Sequence, residues 1–125
     1  PSNAYIWSMC EHDGWFYVGA YDIMPGLSYM LTHPRFVLGI MGIDCKTEAP
    51  EDKLLLLTSV EMLFWRQNFG ADLYKTQDGS KWYAVNLNGF GNPNNYGVRN
   101  MVSADGQLVL GLSNPYDGLE MWAGK

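Results

Sequence analysis

Short stretches rich in apolar and aromatic residues recur along the chain, and an Asp-Gly step separates them in pairs. Tyr5 to Cys10 and Trp15 to Tyr21 flank His12-Asp13-Gly14. Ala71 to Thr76 and Trp82 to Leu87 flank Asp78-Gly79, and Met101 to Ser103 and Gln107 to Leu112 flank Asp105-Gly106. Asp-Gly supplies the positive φ that a tight hairpin needs, so three hairpins are predicted. Leu119 to Trp122 begins a further strand. From about Met24 to Gln67 this strand rhythm stops. Pro50-Glu51-Asp52 reads there as a helix start, because Pro fits the first turn and acids favour the positive end of the helix dipole. The apolar residues that follow predict a helix from Pro50 to Arg66, packed on protein. Leu27 to Arg35 reads as a short helix or a loop halted at Pro34. Phe36 to Ile43 reads as a strand or a buried run, which periodicity does not separate.

The chain also resembles itself. Moved by 92 residues, Pro1, Asn3, Met9, Asp13, Gly14 and Gly19 fall on Pro93, Asn95, Met101, Asp105, Gly106 and Gly111. Moved by 48, Gly70-Ala71-Asp72-Leu73-Tyr74 falls on Gly118-Leu119-Glu120-Met121-Trp122, both Gly-apolar-acid-apolar-aromatic. The two shifts differ by 44, which points to a period of about 48 with an insertion of that size in the first copy. A period in the 40s built from short strands is the signature of a β-propeller, in which each repeat is one four-stranded blade. The expected fold is therefore all-β, with about one and a half blade repeats of ~48 residues and a partly helical insertion. Residues 1–23 are expected to form the first strands of blade one and 24–67 the insertion. Residues 68–92 supply the rest of blade one with its linker, and 93–125 a partial second blade. The hairpins at Asp13-Gly14 and Asp105-Gly106 are expected at one position in adjacent blades, which requires separate sheets.

One and a half blades do not close a ring of about four to eight. The chain also opens inside the repeat motif, with no initiator Met and no signal segment. It reads as the C-terminal portion of a longer propeller, or as a short chain that closes a ring with identical copies. Either way the expected partners are the remaining blades of its precursor or copies of itself, and a stable isolated monomer is not expected.

Composition narrows the classes. Hydrophobic residues make up 47% and aromatics 14%, enough for a core with many tight turns. A net charge of -5 argues against a nucleic-acid surface, which needs clustered Lys and Arg. No apolar run approaches the ~18 residues that span a bilayer. Zinc would need more ligands than Cys10 and Cys45 offer. Cys10 reads as a small core residue; bridged to Cys45, it would pin the insertion to the blade and imply an oxidising compartment.

Thr76-Gln77-Asp78-Gly79-Ser80-Lys81-Trp82 resembles the Asp-box turn of sialidase-like propellers, shortened by one residue. The resemblance implies that Asp78 accepts backbone N–H groups, that Gly79 is left-handed and that Trp82 packs between blades. These roles are structural, like those of Asp13, Gly14, Asp105 and Gly106. A sialidase-like site would also need an arginine cluster, and Arg35, Arg66 and Arg99 show none. The stretch from Asn88 to Gly97 resembles the Gly-Phe-Gly-x-x-x-Asn linker of secreted or cell-surface bacterial and archaeal propeller repeats. Asp105 to Gly111 and Gly118 to Trp122 resemble strands of the same family. That resemblance implies an extracellular or cell-surface protein.

The Asn-rich linker reads as turns and side-chain caps. Its carbonyls, with Asp117, are the one candidate for a cation, Ca²⁺; no other cofactor is expected. His12 reads as an exposed turn residue. His33, Arg35 and Asp44, within the insertion, are the candidates for acid–base chemistry, while Trp7, Trp15 and Trp65 are candidates for stacking on sugar. There is no Gly-x-Ser-x-Gly elbow and no phosphate loop. The leading expectation is a non-catalytic extracellular scaffold or binding module. The alternatives are a propeller enzyme whose 24–67 insertion lines its active site, and a lectin-like oligomer.

Overall fold

Two consecutive residues at positive φ join the strands of each long hairpin. Asp13 (φ 49°) and Gly14 (φ 72°) form one turn, and Asp105 (φ 51°) and Gly106 (φ 72°) form the other. The backbone twist of such turns matches that of the strands they connect. The computed structural model describes residues 2–32 and 69–125. Among these, the elements are β1 (Asn3–His12), β2 (Trp15–Asp22), α1 (Ile23–Thr32), β3 (Leu73–Thr76), β4 (Trp82–Asn86), β5 (Gly97–Ala104), β6 (Gln107–Ser113) and β7 (Glu120–Gly124). The described architecture is mostly antiparallel β-sheet.

β1 pairs with β2 from Asn3↔Asp22 to His12↔Trp15, and β5 pairs with β6 from Gly97↔Ser113 to Ala104↔Gln107. The register of the second hairpin equals that of the first moved by 92 residues. Ile6↔Ala20 and Ser8↔Gly19 correspond to Val98↔Leu112 and Asn100↔Gly111, so the irregularity at Trp7 recurs at Arg99. β3 adds to β2 through Gly19↔Leu73 and Val18↔Tyr74, and β7 adds to β6 through Gly111↔Met121 and Leu110↔Trp122. β4 follows β3 through Thr76↔Trp82.

One expectation needs correction. The two hairpins do not lie in separate sheets, because Tyr21↔Gly97 bridges β2 to β5. The strands therefore form one sheet in the order β4-β3-β2-β5-β6-β7, with β1 on the other edge of β2. The cause is local. Ala20 N–H donates to the Asp72 carbonyl, but Asp22 lies past the end of β3 and its N–H needs another acceptor. It finds the Tyr96 carbonyl at 2.7 Å, which ties the end of β2 to the start of β5.

The sheet curls into a half-barrel, and the β5–β6 hairpin folds back over one face of β1–β2–β3. Alternation along β2 points Tyr17 and Gly19 to that face with their partner Leu73, and Val98, Leu108, Leu110 and Leu112 meet them from the other side. Each fully buried aliphatic side chain contributes about 1.5–3 kcal/mol. Phe90 of the linker enters between the layers and packs on Trp122 at 5.3 Å. A cavity of about 210 Å³ remains there, lined by Tyr17, Leu73, Phe90, Leu108 and Trp122 among others.

α1 begins where Asp22 Oδ1 accepts the Met24 N–H at 2.9 Å, an N-cap contact, and Pro25 sits in the first turn where its missing N–H costs nothing. The predicted helix from Pro50 to Arg66 and the run from Phe36 to Ile43 lie outside the described residues. Among the described residues no helix is long and apolar enough to cross a membrane.

Candidate interaction surface and the clasps behind it

Each sheet layer is locked by an asparagine, an acid and an aromatic side chain. Asn3 Nδ2 donates to Asp72 Oδ2 at 2.6 Å, and the Tyr74 hydroxyl donates to the same oxygen at 2.9 Å. Asn95 Nδ2 donates to Glu120 Oε2 at 2.8 Å, and Trp122 Nε1 reaches that oxygen at 3.4 Å. The partners correspond under the same shifts of 92 and 48 residues. Desolvation and the Asp72 hydrogen bond push the Tyr74 hydroxyl up to about 12. The Asn95 amide holds the Glu120 carboxyl below its usual range. The acid in the Gly-apolar-acid-apolar-aromatic pattern is thus a structural anchor. The recurrence of the asparagine under one shift and of the acid under the other was the available signal for the pairing.

The linker asparagines cap their own backbone. Asn86 Oδ1 accepts from the N–H groups of Asn88 and Phe90, Asn88 Oδ1 from Gly91, and Asn92 Oδ1 from Asn94. Asn95 is fully buried, donating to the Gly89 carbonyl and accepting from Asn114 Nδ2. Asp117, the Ca²⁺ candidate, has Oδ2 facing the amide nitrogens of Asn92, Asn94 and Asn114 at 3.1 to 3.4 Å. Beside it the buried Asn94 Oδ1 accepts no hydrogen bond among the described residues. Among the described residues no three His, Cys, Asp or Glu side chains group as a metal site.

In the shortened Asp-box-like turn, Asp78 Oδ1 accepts from the N–H groups of Ser80 and Lys81, both at 2.9 Å. Gly79 is left-handed at φ 74°, and Trp82 Nε1 donates back to its carbonyl at 3.1 Å. The backbone donors, Lys81 first, pull the Asp78 carboxyl down to about 2.

The described candidates for sugar stacking are occupied by packing. Trp7 lies against Gly97, edge-on to Tyr21 at 5.0 Å, with the Arg99 guanidinium 5.7 Å from its ring. Trp15 carries the Lys75 ammonium 4.4 Å over its ring and meets Tyr83 edge-on. Trp65, His33, Arg35 and Asp44 lie outside the described residues, as does Cys45 with any bridge to it; Cys10 is half-buried on β1. His12 is not the exposed turn residue the sequence suggested. It is buried, with Nδ1 2.8 Å from Ser103 Oγ, because the end of β1 faces the second hairpin.

Among the described residues two sheet faces carry exposed apolar side chains. On the first, Ile6, Val18, Ala20, Tyr74 and Trp82 line an apolar groove of about 420 Å³. On the second, Val102 and Met121 are exposed beside Gly111 and Val109. No protein family model, curated protein or solved structure matches this chain.

Proposed function

We propose that the chain is part of a β-propeller scaffold or binding module, extracellular or at the cell surface, that acts by presenting loops and does no chemistry of its own. One observation carries the reading: two hairpins of equal register stack face to face, each locked by its own Asn–acid–aromatic clasp. Side-by-side stacking of near-identical sheet units is how a blade buries its faces. The Tyr21↔Gly97 bridge, with the Asp22 N–H bond to the Tyr96 carbonyl, joins the hairpins in one sheet and counts against blades in separate sheets; it is a single residue pair against the extended ladders within each hairpin. The extracellular placement rests on the linker and strand resemblance, and the acidic surface agrees with a partner other than nucleic acid.

Crystallography of the chain with any polypeptide that accompanies it from its source tests the architecture. The expected result is further sheets against both open faces. Closure of β1 onto β7 in a self-contained barrel would overturn it. For the non-catalytic part, a panel of ester, phosphate and glycoside substrates should show no turnover, and sustained turnover of any one sinks it.

A further inference from the structure

Resting on that stacked-sheet reading, we propose that the chain associates head to tail with a second copy of itself. The face carrying Ile6, Val18, Ala20 and Tyr74 of one copy meets the face carrying Gly111 and Met121 of the next.

The contact already exists once inside the chain. Val98 occupies the space beside Gly19, where a Cβ would stand 2.4 Å from Val98 Cβ, and Ser8 Oγ donates to the Val98 carbonyl. Tyr17 and Leu73 complete the covering face, against Leu110, Leu112 and Trp122. The shifts of 92 and 48 residues carry this covering face onto Gly111, Asn100, Val109 and Met121, and the covered face maps back onto Ile6, Val18, Ala20 and Tyr74. Within these two sets Ile6 is 56% exposed and Met121 69%, while Val18, Ala20 and Gly111 beside them are buried.

The glycines carry the argument further. Gly19 is required by Val98. At Gly111 a Cβ would meet nothing nearer than 3.6 Å, only the exposed Asn100 and Leu119 side chains, and its φ is not left-handed. No contact within the described residues calls for glycine there. A neighbour's Ile6, the counterpart of Val98, supplies the missing reason. In the same arrangement Met121 enters the groove between Ile6, Val18, Ala20 and Tyr74, as Leu73 faces the second hairpin. Asn100 is then placed to donate to the neighbour's Ile6 carbonyl, as Ser8 does to Val98. Two different faces meet in such a contact, so it propagates and closes into a ring when the rotation permits.

Sedimentation of the full chain and of two variants at exposed positions tests this. The wild type should self-associate within the micromolar range, and Ile6→Asp and Met121→Asp should each weaken association at least about tenfold. Each variant keeps one intact face, so an equimolar mixture should form a discrete heterodimer that neither forms alone. Gly111→Leu, which closes the notch, should behave like Met121→Asp. A wild type that stays monomeric to about 100 μM, variants that assemble normally, or a mixture that does not pair would each overturn the proposal. A monomer whose crystal structure keeps the internal stack sinks self-association alone and leaves the stacked-sheet scaffold standing; loss of that stack sinks both.

Discussion

Val98 stands where a side chain on Gly19 would have to go: a Cβ built there falls 2.4 Å from Val98 Cβ and 3.1 Å from Ser8 Oγ. At the corresponding strand position, Gly111, the nearest atom to such a Cβ among the described residues is Asn100 Cβ at 3.6 Å. Gly19→Ala should therefore destabilise the fold by about 1–3 kcal/mol through overpacking, whereas Gly111→Ala should stay within about 0.5 kcal/mol in the monomer. Urea unfolding of both variants, under conditions where the chain is monomeric, checks the contrast. Equal effects would mean that the hairpins are not stacked as described.

The buried Asn95 side chain makes three hydrogen bonds. Replacing it with Ala removes donors from the Gly89 carbonyl and Glu120 and leaves Asn114 Nδ2 without its Asn95 acceptor. Since these groups are buried or half-buried, Asn95→Ala should cost about 1–3 kcal/mol. Asn3→Ala, at the half-buried counterpart, should cost less, because water replaces the lost donor. Paired denaturation curves give the ranking.

The pH dependence has two arms of opposite sign. Asp78 has its folded pKa lowered from 3.8 to about 2, so its contribution is present in full above pH 3.8 and fades as pH falls through about 2. Glu120 shifts in the same direction. Tyr74 has its folded pKa raised from 10.0 to about 12, so its contribution is complete below pH 10.0 and is lost as pH rises through about 12. Carboxyl chemical shifts for Asp78 and phenolate absorbance compared between wild type and Tyr74→Phe read the two arms. An Asp78 midpoint near 3.8 would show that the turn opens in solution.

Around Asp117 the side-chain amides of Asn92, Asn94 and Asn114 turn N–H groups to the carboxylate, an arrangement that satisfies it without a cation. Millimolar Ca²⁺ and a chelator should leave the melting temperature unchanged. A rise with Ca²⁺ that Asp117→Asn abolishes would reverse the amide orientations and make the linker a metal site.

Much of the strand layout could be read from the chain, because hairpins are local. Short apolar runs and the Asp-Gly steps located β1, β2, β5 and β6, and the turn dihedrals follow from Asp13-Gly14 and Asp105-Gly106 alone. The short α1 was harder. Its Asp22 cap is the last residue of a strand, so the helix starts at Ile23 with no break in apolar character. Of the candidate site, the sequence offered the residues without their partners: Asn3 and Asp72 lie 69 positions apart, a distance no local rule spans.

Sequence by itself determined where the short apolar runs lie, where the chain turns and which positions correspond between its two halves, since turn sterics and strand preference act over a few residues. Only the tertiary structure decided what those positions face. Burial of His12, the bridge from Tyr21 to Gly97, and the difference between a filled notch at Gly19 and an unfilled one at Gly111 depend on how one hairpin folds over the other. Packing is set by the fit of surfaces distant in the chain, and equal local patterns then acquire different neighbours.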